Sequence, residues 1–373
     1  MTWTIEEIQR DWGATSALPS IVVDAFERVE RILGREWIAA TREGSGGDVQ
    51  GPMPLLQVVS MGGRLGVLDA IEGAERLAKK LQQHDASAEA ELTAMHLLHS
   101  RNRTAEIELE PDVVAGESVR RADFRIRAPG ETWTYAEVTR PNISEARERL
   151  TAILDRITAL VLQVKREYAV EVFLRREPED DEIEPLLVRV QQFCVDGEAE
   201  REQVGDLAFL LLSAVRPGHI IPHQEPEEPA TPRLGAAKYI GGGDEPRRHI
   251  VVRVPYADKR ADKFLADEAR QLPKGHPGLI MVDASGEPTA FASWAPIVKR
   301  RFQPNVHTRV SGLCLFAPQL LPLGDQLLWI PQVRLHINPY ARLALPQWMQ
   351  QAPDEAAHDF GLCLEAAQRP VAD

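Results

Sequence analysis

Asp123 and Glu137 are the two residues whose type and spacing best suit chemistry. Residues 119–127 and 132–140 have the alternation and the β-branched or aromatic content of strands, and a Pro-Gly turn separates them. Side chains two apart share one face of a strand, so Asp123 can lie beside Glu137, with Thr139 on the same face. Two adjacent carboxylates repel each other and usually need a cation. The alternative interpretation is a pair of ordinary solvent-facing strand residues.

A third acidic residue, Glu91, lies in a segment that has the pattern of a helix over residues 86–100. Ser87 can cap this helix. Its predicted apolar face consists of Ala88, Leu92, Met95 and Leu98. Glu91 lies on or beside that face, where a carboxylate is costly unless it finds a partner. Glu89 points elsewhere and is expected to be solvated.

The elements around these acids predict an α/β fold with a mixed sheet flanked by helices. Residues 104–109 read as a strand that precedes the two strands of the acid pair. A helix is expected after Asn142, followed by a strand over 168–174, a further helix, and a central strand over 206–215. Helices that alternate with strands in this way are typical of layered α/β architectures.

Composition shifts divide the chain into four parts. We expect a helical N-terminal segment over 1–80, a core over 81–215, a Pro/Gly-rich linker or loop over 216–248, and a C-terminal α/β extension over 249–373. The extension could continue the same sheet or form a second lobe.

The bulk composition limits the class of protein. The chain has 373 residues, of which 44% are hydrophobic and 27% charged, as in soluble globular proteins. No apolar segment is long enough for a transmembrane helix and no secretory signal is recognised, so neither a membrane partner nor export is expected. Three widely spaced cysteines favour reduced thiols and a cytoplasmic location. The net charge of −13 argues against a protein that coats nucleic acid, although a local basic groove is compatible with it.

The order of these elements resembles the PD-(D/E)XK nuclease superfamily, the restriction-endonuclease-like fold. That family presents a helix carrying Glu, a strand, a strand with Asp, a strand with Glu-x-Lys, and a helix. Glu91 matches the helical Glu, Asp123 matches the Asp, and Glu137-Val138-Thr139 matches the Glu-x-Lys strand. The helix expected after Asn142 matches the helix that follows. The resemblance covers about residues 86–176. It implies a restriction-endonuclease-like core with a mixed central sheet.

The resemblance also implies a metal site. Phosphodiester hydrolysis needs an activated water and stabilisation of phosphoryl charge, which Mg²⁺ or Mn²⁺ can supply. Asp123 and Glu137 would be carboxylate ligands, the backbone carbonyl of Val138 would add an oxygen, and Glu91 would bind metal or position water.

Thr139 departs from the family, because it occupies the position of the motif lysine. Threonine can form hydrogen bonds but carries no charge. Another cation could take over, with Arg125, Arg140 and Lys165 as candidates, although alternation points Arg140 away from Thr139. The site could also run more slowly on metal alone, or the fold could be degenerate and serve binding.

Two hypotheses follow. The first is a Mg²⁺- or Mn²⁺-dependent endonuclease that hydrolyses DNA in preference to RNA, with Glu91, Asp123, Glu137 and Thr139 as its catalytic residues. The second is a catalytically impaired nuclease fold that binds nucleic acid or protein. Assembly as a homodimer is compatible with either hypothesis.

Overall fold

The computed structural model describes a chain that begins with consecutive helices and continues with strands and further helices. It describes residues 7, 20–44, 53–115, 118–164, 166–197, 200–213, 233–242, 245–256, 258–287, 290–323, 326–350 and 364–365. Within them the helices are α1 (Ser20–Ile32), α2 (Arg35–Gly44), α3 (Met53–Leu65), α4 (Glu75–Gln82), α5 (Ala86–His99), α6 (Glu145–Val161), α7 (Asp180–Asp196), α8 (Ala261–Glu268), α9 (Ala290–Arg301) and α10 (Gln347–Gln350), with a 3₁₀ turn at Gly66–Ala70.

The strands of the described residues form mixed sheets. They are β1 (Glu106–Leu109), β2 (Asp112–Ala115), β3 (Ser118–Arg121), β4 (Phe124–Arg127), β5 (Thr134–Thr139), β6 (Tyr168–Leu174), β7 (Arg201–Val204), β8 (Ala208–Ser213), β9 (Arg233–Gly242), β10 (Glu245–Pro255), β11 (Gly278–Asp283), β12 (Gly312–Leu323), β13 (Gln326–Ile337) and β14 (Leu364–Glu365). The expected α/β class is confirmed.

The chain divides into two compact units. Unit 1 comprises Met1–Pro141, Arg260–Ser285 and Ala295–Asp373, and unit 2 comprises Asn142–Lys259 and Gly286–Trp294. The units therefore do not follow the expected boundaries at 81–215, 216–248 and 249–373. The physical reason is strand pairing, because β11 lies parallel to β5 although more than a hundred residues separate them.

Unit 1 is built on one large sheet with the strand order β1-β4-β5-β11-β12-β13-β14. β1, β4 and β5 form an antiparallel meander, and β5, β11 and β12 are parallel. The C-terminal segment thus extends the same sheet. Helix α5 packs against β5 and β11, and α3 and α4 pack against α5.

Helix α5 is buried on most of its surface, which fixes its position against the sheet. The four residues of its predicted apolar face are all buried, as expected. The N-cap is Asp85 rather than Ser87, since the Asp85 carboxylate accepts hydrogen bonds from the backbone N–H groups of Ser87 and Ala88 at 2.8 and 3.2 Å. The N-terminal segment is helical over its described parts, as predicted.

The expected continuous strand over 119–127 is wrong. Ala122 and Asp123 interrupt it, because β3 pairs with β2 in a separate two-stranded hairpin while β4 joins the main sheet. Asp123 therefore lies at the break, directly before β4.

Unit 2 has its own five-stranded sheet, with the order β7-β8-β6-β10-β9. Helices α6 and α7 cover one face of it and share a hydrophobic core with alternate residues of β6, β8 and β10. Helix α6, which we expected to complete the nuclease-like core, belongs to this unit instead. The second part of the expected linker, from Arg233 onwards, forms the paired strands β9 and β10. Residues 214–232 lie outside the described residues.

Candidate functional site

Two backbone hydrogen bonds and one bond to its side chain hold Asp123 at the break between β3 and β4. Its carbonyl oxygen accepts from the N–H of Glu110 at 2.9 Å. The N–H of Ala122 donates to the carbonyl of Pro111 at 3.3 Å, which closes the corner. The Oδ2 of Asp123 accepts from the N–H of Val138 at 2.6 Å. Since Phe124 pairs with Ala136, Asp123 lies beside Glu137, as the sequence predicted.

Glu137 is a carboxyl group buried in the middle of the sheet. Only 2% of the residue is exposed, and Oε1 has no hydrogen-bond partner. Burial, and then repulsion by Asp123, raise the pKa of Glu137 to about 9. The carboxyl groups of Asp123 and Glu137 are also within hydrogen-bonding reach of each other. This pair therefore shares a proton at neutral pH when no cation is bound.

Glu91 approaches the same pair from α5. Its side chain is 12% exposed, and Oε1 lies 3.8 Å from Nζ of Lys80. Burial, followed by repulsion from Asp123, raises the pKa of Glu91 to about 7. The three acids that the sequence singled out thus face one another across helix and strands.

A fourth acid, Glu268 at the end of α8, was missed by sequence reasoning. Burial raises its pKa, and repulsion by Asp123 acts in the same direction. The hydroxyl of Thr139 lies within hydrogen-bonding reach of Glu268. We call Glu91, Asp123, Glu137 and Glu268 the acid cluster. The segment around Glu268 reads as an ordinary charged amphipathic helix, so only the proximity of Glu268 to Thr139 and Asp123 shows that it joins the other acids.

The cations expected to replace the motif lysine lie in other contacts. Arg125 is bound to Glu108 and to the Tyr135 hydroxyl, at 3.0 Å each. The Nε of Arg140 lies 3.6 Å from Asp283. Lys165 lies outside the described residues.

Lys80 on α4 is the cation at the acid cluster. Its Nζ is 3.8 Å from Glu91 and 3.8 Å from Glu110, and its charge lowers the pKa of both Glu91 and Asp123 against the effect of burial. Helical spacing places Lys80 at the edge of the buried face formed by Leu77 and Leu81 and Lys79 opposite it, but nothing in the sequence shows that Glu91 lies next to Lys80.

The acid cluster suits a hard divalent cation by its donor chemistry. Its oxygen donors, its excess of negative charge and the orphaned Oε1 of Glu137 are the features that such a cation would satisfy. The side chains do not form a closed ligand shell: no group of three or more acidic, histidine or cysteine ligands among the described residues has metal-binding geometry. Side-chain rotation would therefore accompany metal binding.

Comparison with known proteins does not assign the chain to a family. No family model matches the chain, and no curated protein matches it significantly. Among the described helices, none combines the length and the apolar character needed to cross a bilayer.

Proposed function

We propose that the acid cluster of unit 1 is the active site of a Mg²⁺- or Mn²⁺-dependent nuclease that hydrolyses phosphodiester bonds of DNA in preference to RNA. One observation carries the proposal. Three acids, from helix α5, from strand β5 and from the corner before β4, lie close enough for Asp123 to raise the pKa of the other two, and the most buried of them keeps an oxygen without a partner. A clustering of buried acids costs free energy and has no evident value for a scaffold.

The order of elements supports the same proposal. Helix α5 with Glu91, strand β1, the Asp123 corner before β4, and β5 with Glu137 follow the order of the PD-(D/E)XK superfamily. The antiparallel strands β1, β4 and β5 together with the parallel strands β11 and β12 make a mixed sheet, which is compatible with the family resemblance. The departure is the helix after β5, because α6 lies in unit 2 and α8 takes the place beside the acids.

The residues that would hold the metal are Asp123, Glu137, Glu91 and the carbonyl of Val138. Because the N–H and C=O of one strand residue point to the same side, the Val138 carbonyl is expected to point, like its N–H, towards Asp123. A bound divalent cation would act as a Lewis acid and lower the pKa of water at the scissile phosphate.

The chain's own residues supply positioning and charge. The Val138 N–H orients the Asp123 carboxylate, and burial of Glu137 keeps its oxygens away from competing water. Lys80 brings positive charge to the side of the cluster that Glu91 occupies, which is the role that Thr139 cannot fill. Thr139 instead contributes a hydroxyl to Glu268.

A catalytically impaired binding module is the second candidate function. The observations that favour it are the missing lysine at Thr139 and the open arrangement of the acids. For either function we propose a cytoplasmic location, because Cys194 and Cys314 are buried free thiols.

A cleavage assay separates the two functions. Labelled single-stranded DNA, duplex DNA and RNA would be incubated with wild type, Glu137→Gln, and Glu106→Gln as a control on the same sheet. We expect Mg²⁺- or Mn²⁺-dependent cleavage by wild type and the control, and a loss of roughly a hundredfold or more in Glu137→Gln. Cleavage that is insensitive to Glu137→Gln would contradict the proposed site, and binding without cleavage would support the binding module.

A further inference from the structure

The corner between β1 and β2 gathers positive charge beside the acid cluster. Glu110 forms this corner with φ +46°, a left-handed conformation that is uncommon for residues other than glycine. Its N–H is bonded to the carbonyl of Asp123. Its carboxylate contacts Arg76, lies 3.8 Å from Nζ of Lys80, and lies 3.9 Å from Nη1 of Arg121. The Glu110 carboxylate, which this backbone conformation orients, therefore contacts three cations.

Two of these cations are exposed, whereas Lys80 is half-buried. The side chains of Arg76 and Arg121 are 65% and 62% exposed. Arg121 also contacts Asp112 at 3.2 Å, and the exposed Arg120 donates to the carbonyl of Arg270. We call Arg76, Lys80, Arg120 and Arg121 the basic rim. Its four positive charges contact three carboxylates, those of Glu91, Glu110 and Asp112, in a chain whose net charge is −13.

We infer that the basic rim binds the sugar–phosphate backbone of a nucleic-acid strand next to the acid cluster. The inference deepens the proposed function, on which it rests for the class of substrate. Lys80 belongs to both features, because it lies 3.8 Å from Glu91 and 3.8 Å from Glu110. A nucleic-acid strand bound along the basic rim would therefore extend directly to the acid cluster.

Binding of a nucleic-acid strand would exchange the carboxylate partners of the rim arginines for phosphate partners. Exposed ion pairs contribute little to stability, so phosphate oxygens can replace Glu110 and Asp112 as partners of the arginines at small cost. The planar guanidinium fork suits phosphate and forms two hydrogen bonds to it. Holding the arginines near their binding positions before the strand arrives reduces the side-chain entropy lost on binding.

The test measures binding in the absence of metal, so that it does not depend on cleavage. Fluorescence anisotropy with a labelled single-stranded oligonucleotide and the matching duplex, both in EDTA, would compare wild type with Arg76→Ala/Arg121→Ala. The matched control is Arg156→Ala/Arg189→Ala, which removes two exposed arginines of unit 2 that each contact a glutamate. Arg120→Ala serves as a second, independent rim variant.

We expect the rim double variant to bind roughly tenfold more weakly or worse, and the control to stay within twofold of wild type. The slope of log K against log salt concentration should become shallower by about 1.4 for single strands and about 1.8 for duplex, the values for two lost phosphate contacts. Arg120→Ala should lower affinity in the same direction.

Equal losses in both double variants, an unchanged salt slope, or a wild type that binds neither probe would overturn the inference. Rim-dependent binding by a protein that never cleaves would sustain the inference and refute the proposed nuclease, so the two failures are distinguishable.

Discussion

A carboxyl group in the centre of a sheet loses its hydration and is stable there only if it is protonated or paired. Glu137 is in that position, and a pKa of about 9 keeps it protonated at neutral pH without a cation. In the unfolded chain the same group titrates near 4.5. Glu137 thus couples folding to proton binding, and the proposed metal would be coupled to both at the same residue.

The pH dependence of stability provides a residue-scale test. Between pH 5 and 9 the folded state retains a proton on Glu137 that the unfolded state loses, so the free energy of unfolding should fall as pH rises. One such group contributes up to about 1.4 kcal/mol per pH unit. Glu137→Gln should therefore flatten the fall, measured by urea unfolding in EDTA across this range, whereas Glu106→Gln should not. Identical slopes in wild type and Glu137→Gln would rule out the raised pKa.

A second prediction concerns Lys80, the cation that we propose takes the place of the motif lysine. Lys80→Ala should lower metal-dependent cleavage by roughly tenfold to a hundredfold, because a positive charge is lost near the developing phosphoryl charge. Thr139→Lys, which introduces an ammonium on the face of Glu137, should restore much of that loss in the Lys80→Ala background. Lys79→Ala, at the exposed neighbouring position, is the control. A Lys80→Ala variant as active as wild type would exclude Lys80 from the reaction.

At the scale of elements, the site depends on the pairing of β5 with β11. Gly278 begins β11 opposite Tyr135, and its backbone N–H is bonded to Ser311 Oγ at 3.0 Å. A Cβ at Gly278 would lie 2.6 Å from the Arg309 carbonyl oxygen and 2.8 Å from Leu272 Cδ1. Position 278 therefore requires glycine, because any Cβ there would clash with the Arg309 carbonyl and Leu272.

Gly278→Ala should destabilise unit 1 by about 1–3 kcal/mol, the usual cost of overpacking a buried position. Thermal unfolding should show a melting temperature lowered by several degrees. Gly275→Ala is the matched control, because a Cβ there meets nothing within 4 Å. Equal melting temperatures for the two variants would mean that the Arg309 carbonyl and Leu272 do not approach the start of β11 as described.

Local pattern predicts some of these elements and not others. Alternation marks β5, and helical spacing marks the buried face of α5, so Glu91, Asp123 and Glu137 could be identified in advance. The break at Asp123 could not, because the residues on both sides of it suit a strand equally well. Glu268 and Lys80 were also missed, since their positions beside the other acids arise from packing between elements distant in the chain.

At the scale of the whole molecule, the chain interrupts one α/β unit with another. Unit 1 and unit 2 have separate hydrophobic cores, and most of unit 2 lies between β5 and β11 in sequence. The inserted segment has its own α/β pattern, so reading the chain in order suggests one continuous core. Only the long-range register of Glu137 with Ile280 shows where the first sheet resumes.

The central claim is that Asp123 and Glu137 bind a divalent cation together. Isothermal titration of Mn²⁺ at pH 8 into wild type, Asp123→Ala, Glu137→Gln and the control Glu106→Gln tests it most directly. We predict saturable binding by wild type and the control, and loss of that binding in both site variants. Mn²⁺ binding that survives Asp123→Ala and Glu137→Gln unchanged would place the ion elsewhere and contradict the account.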